Sequence, residues 1–155
     1  MIWKPHVTVA AVVETAGRFL LVQERVAGKP VYNQPAGHLE DGESLVKAVV
    51  RETLEETAWH FHPEAVTGIY RWRQPDRQKT FLRVTFTGRA LYHDPQIRLD
   101  PCIERTLWLS SAQVRARTEQ LRSPLVLRSI DDYLAGHAWP LSLLADIDQE
   151  SVGFS

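Results

Sequence analysis

Cysteine is nearly absent: Cys102 stands alone among 155 residues, so no internal disulfide can form and no thiolate zinc cluster can be built. A reducing cytoplasm suits that composition. Long apolar runs are missing too, and nothing approaches the roughly 18 residues that a membrane-spanning helix needs. Charge of one sign is equally scarce, since 18 basic and 19 acidic side chains leave a formal charge of −1. A nucleic-acid partner is therefore not expected, because no broad positive surface exists to neutralise a phosphate backbone. Any small phosphorylated ligand must be gripped by metal ions or by a few local arginines and lysines. The opening stretch MIWKPHVTVAAVVE has one early lysine and no small-residue cleavage site, so the expectation is no export signal and a cytoplasmic location.

What is present describes an ordinary folded chain. Hydrophobic residues make up 44% and charged residues 24%, too apolar a balance for intrinsic disorder. The length suits one core, so residues 1–155 read as a single domain, acting as a monomer or a small homo-oligomer. His6 to Glu14 and Arg18 to Val26 read as two strands of a hairpin broken at Thr15-Ala16-Gly17. The near-continuous apolar character of Val7 to Val13 predicts a strand covered on both faces, hence a sheet between layers of helix. Ala27 to Gly42, dense in glycine, proline and asparagine, reads as one long loop. Ser44 is placed to cap a helix running to about Ala58, with Val46, Val49, Val50, Thr53 and Thr57 on the face that packs against the sheet. Val66 to Arg73 and Lys79 to Tyr92 read as strands joined by a turn at Pro75-Asp76, and Ile103 to Leu109 as the last strand. Ser110 or Ser111 can cap a short helix, and Ser123-Pro124 opens another that runs through Leu134 and stops at Gly136. The closing ADIDQESVGFS carries no expectation.

The segment Gly37 to Trp59, GHLEDGESLVKAVVRETLEETAW, carries the chemistry. On a helix turning about 100° per residue, Glu52, Glu55 and Glu56 fall within an arc of about 100° that borders the apolar stripe. Like charges so close destabilise an isolated helix by roughly 0.2–0.5 kcal/mol per pair, so something must offset them. Magnesium suits the task, since it takes one or two carboxylates together with waters and substrate phosphates. On composition alone a solvated acidic face is the commoner explanation.

The loop ahead of the helix reverses that preference. Gly37, Glu43, Arg51, Glu52, Glu55 and Glu56 follow a fixed spacing: glycine, five residues, glutamate, seven residues, Arg-Glu, two residues, Glu-Glu. At residue frequencies near ~6%, six such matches arise by chance in about one chain of this length in 10⁵. The segment resembles the Nudix box. The resemblance implies an α/β fold, an α/β/α sandwich with a mixed β-sheet between helices. It also implies roles: Glu52, Glu55 and Glu56 coordinate Mg²⁺, or Mn²⁺, or activate water, while Arg51 orients a neighbouring carboxylate by ion pairing. Glu52 is the first choice of base, although spacing does not separate the three acids. The Gly37 carbonyl adds a metal ligand in the same scheme, glycine permitting close backbone approach, and Glu40 and Glu43 are supporting residues. Glu104, in DPCIERTLW, is a further candidate ligand because related folds supply a carboxylate from that region; the alternative is an edge-strand glutamate facing solvent. Thr53, Ala58 and Trp59 depart from the usual box, and alanine at 58 puts the helix end in question, because glycine normally takes the left-handed conformation there.

KPHVTVA at 4–10, NQPAGHLE at 33–40, PD and FLR within 75–83 and RSPLV at 122–126 extend the resemblance over nearly the whole chain. They are similar to a bacterial branch of Nudix phosphatases that act on nucleoside tri- and diphosphates and on thiamine pyrimidine pyrophosphate. That branch implies magnesium dependence, stepwise release of orthophosphate and broad tolerance of the base. Arg25, Arg71, Arg73, Lys79 and Arg83 are candidates for phosphate contact, and Tyr32, Tyr70, Trp72 and Phe81 for stacking on a base or pyrimidine ring. Singly, each is more often a solvated arginine or a core aromatic. His60 and His62 lack a matching ligand pair and read as structural or exposed, and Cys102 as a packed thiol. Two other readings stay open: a dinucleotide or nucleotide-sugar pyrophosphatase, and a catalytically silent nucleotide-sensing module.

Overall fold

A computed structural model describes residues 1–148; residues 149–155, the end of the uninterpreted tail, lie outside the described residues. The apolar run near the start does form a strand covered on both faces, β1 (His6–Thr15), in which Val9, Ala10 and Ala11 are wholly buried. Ala16 and Gly17, both at positive φ, turn the chain into β2 (Arg18–Val26). The two strands pair only beside that turn, Glu14 with Phe19 and Thr15 with Arg18, and then part. β1 continues as the parallel neighbour of β6 (Thr80–His93), from His6↔Phe81 to Val13↔Gly88. β2 pairs instead with β3 (Lys29–Asn33) and with β7 (Ile103–Ser110), both antiparallel.

The segment Ala27 to Gly42 is therefore not one loop. It contains β3 and a three-residue strand, β4 (Ala36–His38), which lies antiparallel on β1. Its turn residues are real, with Ala27 and Gly28 at positive φ, but they hid two short strands. Pro30 is tolerated because β3 is the last strand on its side of the sheet, where a missing N–H removes no essential ladder bond. β5 (Trp59–Arg73) likewise begins well before the expected Val66. Irregularities at His60/Phe61, Pro63/Ala65 and Val66/Gly68 in its pairing with β6 break the alternation by which strands are recognised.

Helix α1 (Leu45–Thr57) starts as its sequence predicts, with Ser44 Oγ accepting from the Lys47 N–H at 3.1 Å. At its end Ala58 takes the left-handed conformation, φ 61°, and donates its N–H to the Leu54 carbonyl. The helix end keeps the usual geometry without the usual glycine, at a cost of about 1–2 kcal/mol. Ala48 and Val49 of α1 pack against Val9, Ala11, Val13, Val84 and Phe86; burying a valine such as Val49 contributes about 1.5–3 kcal/mol. A second cluster joins Val12, Phe19 and Leu21 to Val114 of α2 (Ser111–Arg115) and to Val126 and Ile130 of α3 (Leu125–Leu134).

The result is an α/β/α sandwich around a mixed sheet of order β3-β2-β1-β6-β5-β8, where β8 is Trp139–Pro140, β4 joins β1 and β7 joins β2. Ser110, not Ser111, caps α2 through reciprocal bonds with Gln113. Ser123 Oγ accepts from the Leu125 N–H at 3.2 Å at the start of α3, and Gly136 follows its end at φ 87°. Cys102 is exposed rather than packed, in the turn before β7. No helix among the described residues is long and apolar enough to cross a membrane.

Candidate active site

The three acids of α1 straddle the edge of the core, so spacing that makes them look alike conceals unequal surroundings. Glu56 is 8% exposed, the Glu52 side chain 13% and the Glu55 side chain 50%. Glu56 Oε1 accepts from the Ala36 N–H at 2.8 Å, tying the last turns of α1 to the start of β4. Burial pushes the Glu56 carboxyl up to about 8; the Ala36 bond opposes the rise, and Glu52, Glu24 and Asp100 add to it. Burial also raises Glu52, against the pull of Arg51.

Arg51 is the counter-charge of the cluster. Nε and Nη2 donate to the two oxygens of Glu43 at 2.6 and 2.9 Å, Nη1 donates to Glu52 at 2.8 Å and to Glu55 at 3.2 Å, and Nη2 also reaches the His38 carbonyl at 3.1 Å. Glu40 lies 3.4 Å from Nη1. The bonds to Glu43 raise the already high pKa of Arg51 further and hold the Glu43 carboxyl below its ordinary range. Gly37 passes against the same group, because a Cβ on residue 37 would overlap the Glu52 carboxylate. Among the described residues no three His, Cys, Asp or Glu side chains stand ready-made around one point; Arg51 stands among the acids instead.

Beside β4 a cleft opens in two chambers that share His38, Trp72, Phe81 and Arg122. The outer one, about 340 Å³, has Trp72 stacked on Phe81 at 5.6 Å, His6 Nδ1 lying 3.2 Å from His38 Nε2, and Lys79 in its wall. Burial lowers the pKa of His38, helped by His6 and Lys79. The inner chamber, about 180 Å³, is lined by Thr8, Glu24, Asn33, Gly37, Arg83 and Ser123 among others. Arg83 is 8% exposed, and its Nε and Nη1 have no hydrogen-bond partner among the described residues. Burial pulls its pKa down to about 10, with Glu56 opposing the fall.

Of the residues singled out in the sequence for substrate contact, the fold brings Trp72, Lys79, Phe81 and Arg83 to this cleft, together with Gly37. Arg25, Tyr32 and Arg71 are not in its walls. Arg25 donates from Nε to Glu104 Oε1 at 2.5 Å, and Gln23 donates to Glu104 Oε2 at 2.8 Å. Successive strand residues point to opposite faces, so Gln23, Arg25 and Glu104 lie on the far side of β2 from Glu24, which does line the cleft. Glu104 therefore serves in this structure as the partner of Arg25, at an irregularity in the β2–β7 pairing. Tyr32 is buried beneath Arg117, on the opposite face of β3 from Val31 and Asn33, and Arg71 is exposed on the opposite face of β5 from Trp72. Of the two remaining candidates, Tyr70 donates to Asp132 on α3 at 2.6 Å and Arg73 is exposed.

Sequence reasoning passed over Glu24, Asn33, His38 and Arg122. Only a weak signal existed for Glu24, a charge alternating with Val22 on a strand otherwise apolar. Burial raises its carboxyl, against the pull of Arg122.

The NUDIX domain pattern matches residues 4–128. The Phosphatase NudJ proteins of Shigella boydii and of Escherichia coli K12 are each 40% identical to this chain over 146 residues, covering 94% of both partners. A NUDIX hydrolase of Nitrosomonas europaea superposes with a TM-score of 0.92 at 47% identity, over 95% of this chain and 100% of that one. A NUDIX domain of Shewanella oneidensis NrtR, complexed with ADP ribose, shares the fold alone, with a TM-score of 0.69 at 20% identity over 87% of this chain and 90% of that one. With a family pattern that spans most of the chain and a fold that agrees, this protein belongs to the Nudix hydrolase family.

Proposed function

We propose that the chain hydrolyses phosphoanhydride bonds of nucleoside tri- and diphosphates, and of thiamine pyrimidine pyrophosphate, releasing orthophosphate with the aid of Mg²⁺ or Mn²⁺. The observation that carries this reading is a buried guanidinium, Arg83, in the cleft wall and a buried carboxylate, Glu56, bonded to Ala36 of that same wall, with no ion pair to either among the described residues. The acids fit a divalent cation on two further grounds. Burial raises both Glu52 and Glu56, which a cation would reverse, and the Gly37 backbone runs against the Glu52 carboxylate where any side chain would collide. Glu55, Glu56 and the Gly37 carbonyl would hold the ion, with Glu52 shared between holding it and acting as base. Bound there, it would neutralise phosphoryl oxygens and lower the pKa of water.

Phosphoryl transfer needs charge neutralised on the transferred group and a water in line with the leaving oxygen. Glu52, whose proton affinity burial raises, accepts the proton of that water. Arg51 keeps Glu52 and Glu55 oriented through its two-sided bonding, and Glu40 and Glu43 hold Arg51 in turn. Arg83 and Lys79 supply positive charge to the phosphates, while Trp72 and Phe81 offer an aromatic wall to the ring. The phosphatase name of the Shigella and Escherichia relatives supports orthophosphate as the product. The same reading takes residues 1–155 as one domain acting in the cytoplasm, for which the lone unpaired cysteine is the support.

The test is product analysis with Mg²⁺. A nucleoside triphosphate should give orthophosphate and the diphosphate first, and Glu52→Gln and Glu56→Gln should each lower turnover by about hundredfold or more. Early inorganic pyrophosphate, or turnover unchanged in both variants, overturns the reading.

A further inference from the structure

The inner chamber holds more hydrogen-bonding capacity than the protein uses. Thr8 of β1 and Arg83 of β6 stand opposite one another in the parallel ladder, 4% and 8% exposed. Arg83 Nε, Arg83 Nη1 and Thr8 Oγ1 all lack a partner among the described residues. Buried polar groups are almost always satisfied, and a charged donor left bare is more costly than a neutral one. Three such atoms in the wall of one chamber mark a place prepared for an anion. Arg122 overlooks the same space from the segment before α3, with its Nη1 3.8 Å from Glu24, a loose pairing that leaves donors over.

We propose that Thr8, Arg83 and Arg122 form a pocket for the free terminal phosphoryl group of the substrate, so that the enzyme requires an anhydride whose last phosphate is unesterified. The proposal rests on the hydrolase reading above and adds the orientation and end-group of the substrate. Volume supports it. Sites for drug-sized ligands span roughly 300–1,000 Å³. The outer chamber, at about 340 Å³, reaches that range and the inner one, at about 180 Å³, does not. A ring fits against Trp72 and Phe81, and a tetrahedral phosphoryl group fits beyond it. A second nucleoside on the last phosphate would be too large to lie within that smaller chamber. Arg83 thus keeps N–H groups on both Nε and Nη1 for phosphoryl oxygens, and a charged donor to a phosphate makes the stronger kind of hydrogen bond. The substrate then enters phosphate first, and its anhydride passes Gly37, whose backbone abuts Glu52.

Two measurements on the full chain test this. Inorganic phosphate titrated calorimetrically into metal-free protein should bind saturably, and Arg83→Met should weaken it by about tenfold or more, the worth of a charge-assisted bond. With Mg²⁺, a nucleoside diphosphate should be cleaved at least about tenfold faster than the same compound methylated on its terminal phosphate. Arg83→Met should raise KM for the free compound and bring that ratio toward one. Arg83→Lys should restore part of both effects, and, should Arg83→Met not fold, Arg83→Lys and Thr8→Val report on the same quantities. Equal cleavage of free and methylated compounds, or phosphate binding indifferent to Arg83, overturns the pocket while leaving the hydrolase reading intact. Arg83-dependent phosphate binding without cleavage of any anhydride supports the pocket and refutes the hydrolase.

Discussion

Replacing Glu56 by glutamine should make the metal-free protein more stable at pH 8 than the parent chain. Glutamine keeps the shape of the side chain and its oxygen can still accept from the Ala36 N–H, so the substitution removes charge and little else. A carboxyl raised in the folded state means that the folded chain holds its proton more tightly than the unfolded chain does. The stability tied to that proton is whole below about pH 4.5 and is lost as the pH climbs through about 8. The gap between those two values, at 1.36 kcal/mol per pH unit, sets an upper bound of about 5 kcal/mol. Because the carboxylate keeps some exposure and its partner Ala36 lines an open cleft, about 2–3 kcal/mol is the expected loss between pH 5 and pH 8. Urea unfolding in chelator at these two pH values measures it for both chains. Glu52 and Glu24, raised in the same direction, leave the variant a smaller slope of the same sign. Adding Mg²⁺ at pH 8 should recover about 2.7 kcal/mol in the parent chain at a hundredfold excess over its dissociation constant, and clearly less in the variant. Identical pH dependence in the two chains would refute the reasoning.

Gly37→Ala should fold, since only the end of one side chain stands in its way, yet lower kcat by about tenfold or more by displacing Glu52; circular dichroism with steady-state kinetics checks both halves. Arg51→Met leaves Glu43 and Glu52 without their counter-charge and should lower unfolding free energy by about 2–3 kcal/mol, below the value for a fully buried pair because Arg51 is 22% exposed. Trp72→Ala should raise KM for nucleoside diphosphates by about tenfold and abolish any quenching of tryptophan fluorescence on nucleotide binding. Glu104→Ala, which frees only Arg25 and Gln23, should leave kcat/KM within about twofold; a hundredfold loss would return Glu104 to the metal site.

The helix and its cap were legible because their information is local. Ser44, the apolar stripe and the clustered glutamates lie within about four turns, and periodicity alone orients them. Resemblance to the Nudix box then located Gly37, which no periodicity marks. Strands β3, β4 and the first half of β5 were not legible, because short length and broken alternation erase the period-2 signal. The cleft was half legible for a different reason. Trp72, Phe81 and Arg83 lie on paired strands and could be grouped from their proximity in sequence. Glu24, Asn33 and Arg122 meet them only through the divergence of β2 from β1 and the approach of the segment before α3, pairings remote in sequence. Arg25 and Glu104 failed to join them because one-residue alternation on β2 sends Glu24 one way and Arg25 the other.

The parallel ladder between β1 and β6 also dictates when in folding the acidic centre can come together. It joins residues 6–13 to residues 81–88, so a very long stretch of chain must be closed before β1 has its neighbour. β4 leans on the other flank of β1, and Ala36 reaches Glu56 only from there. The crowded glutamates are thus spared mutual confinement until late, and a nascent chain that lacks the β5–β6 hairpin has a solvated acidic helix and no trap for a cation.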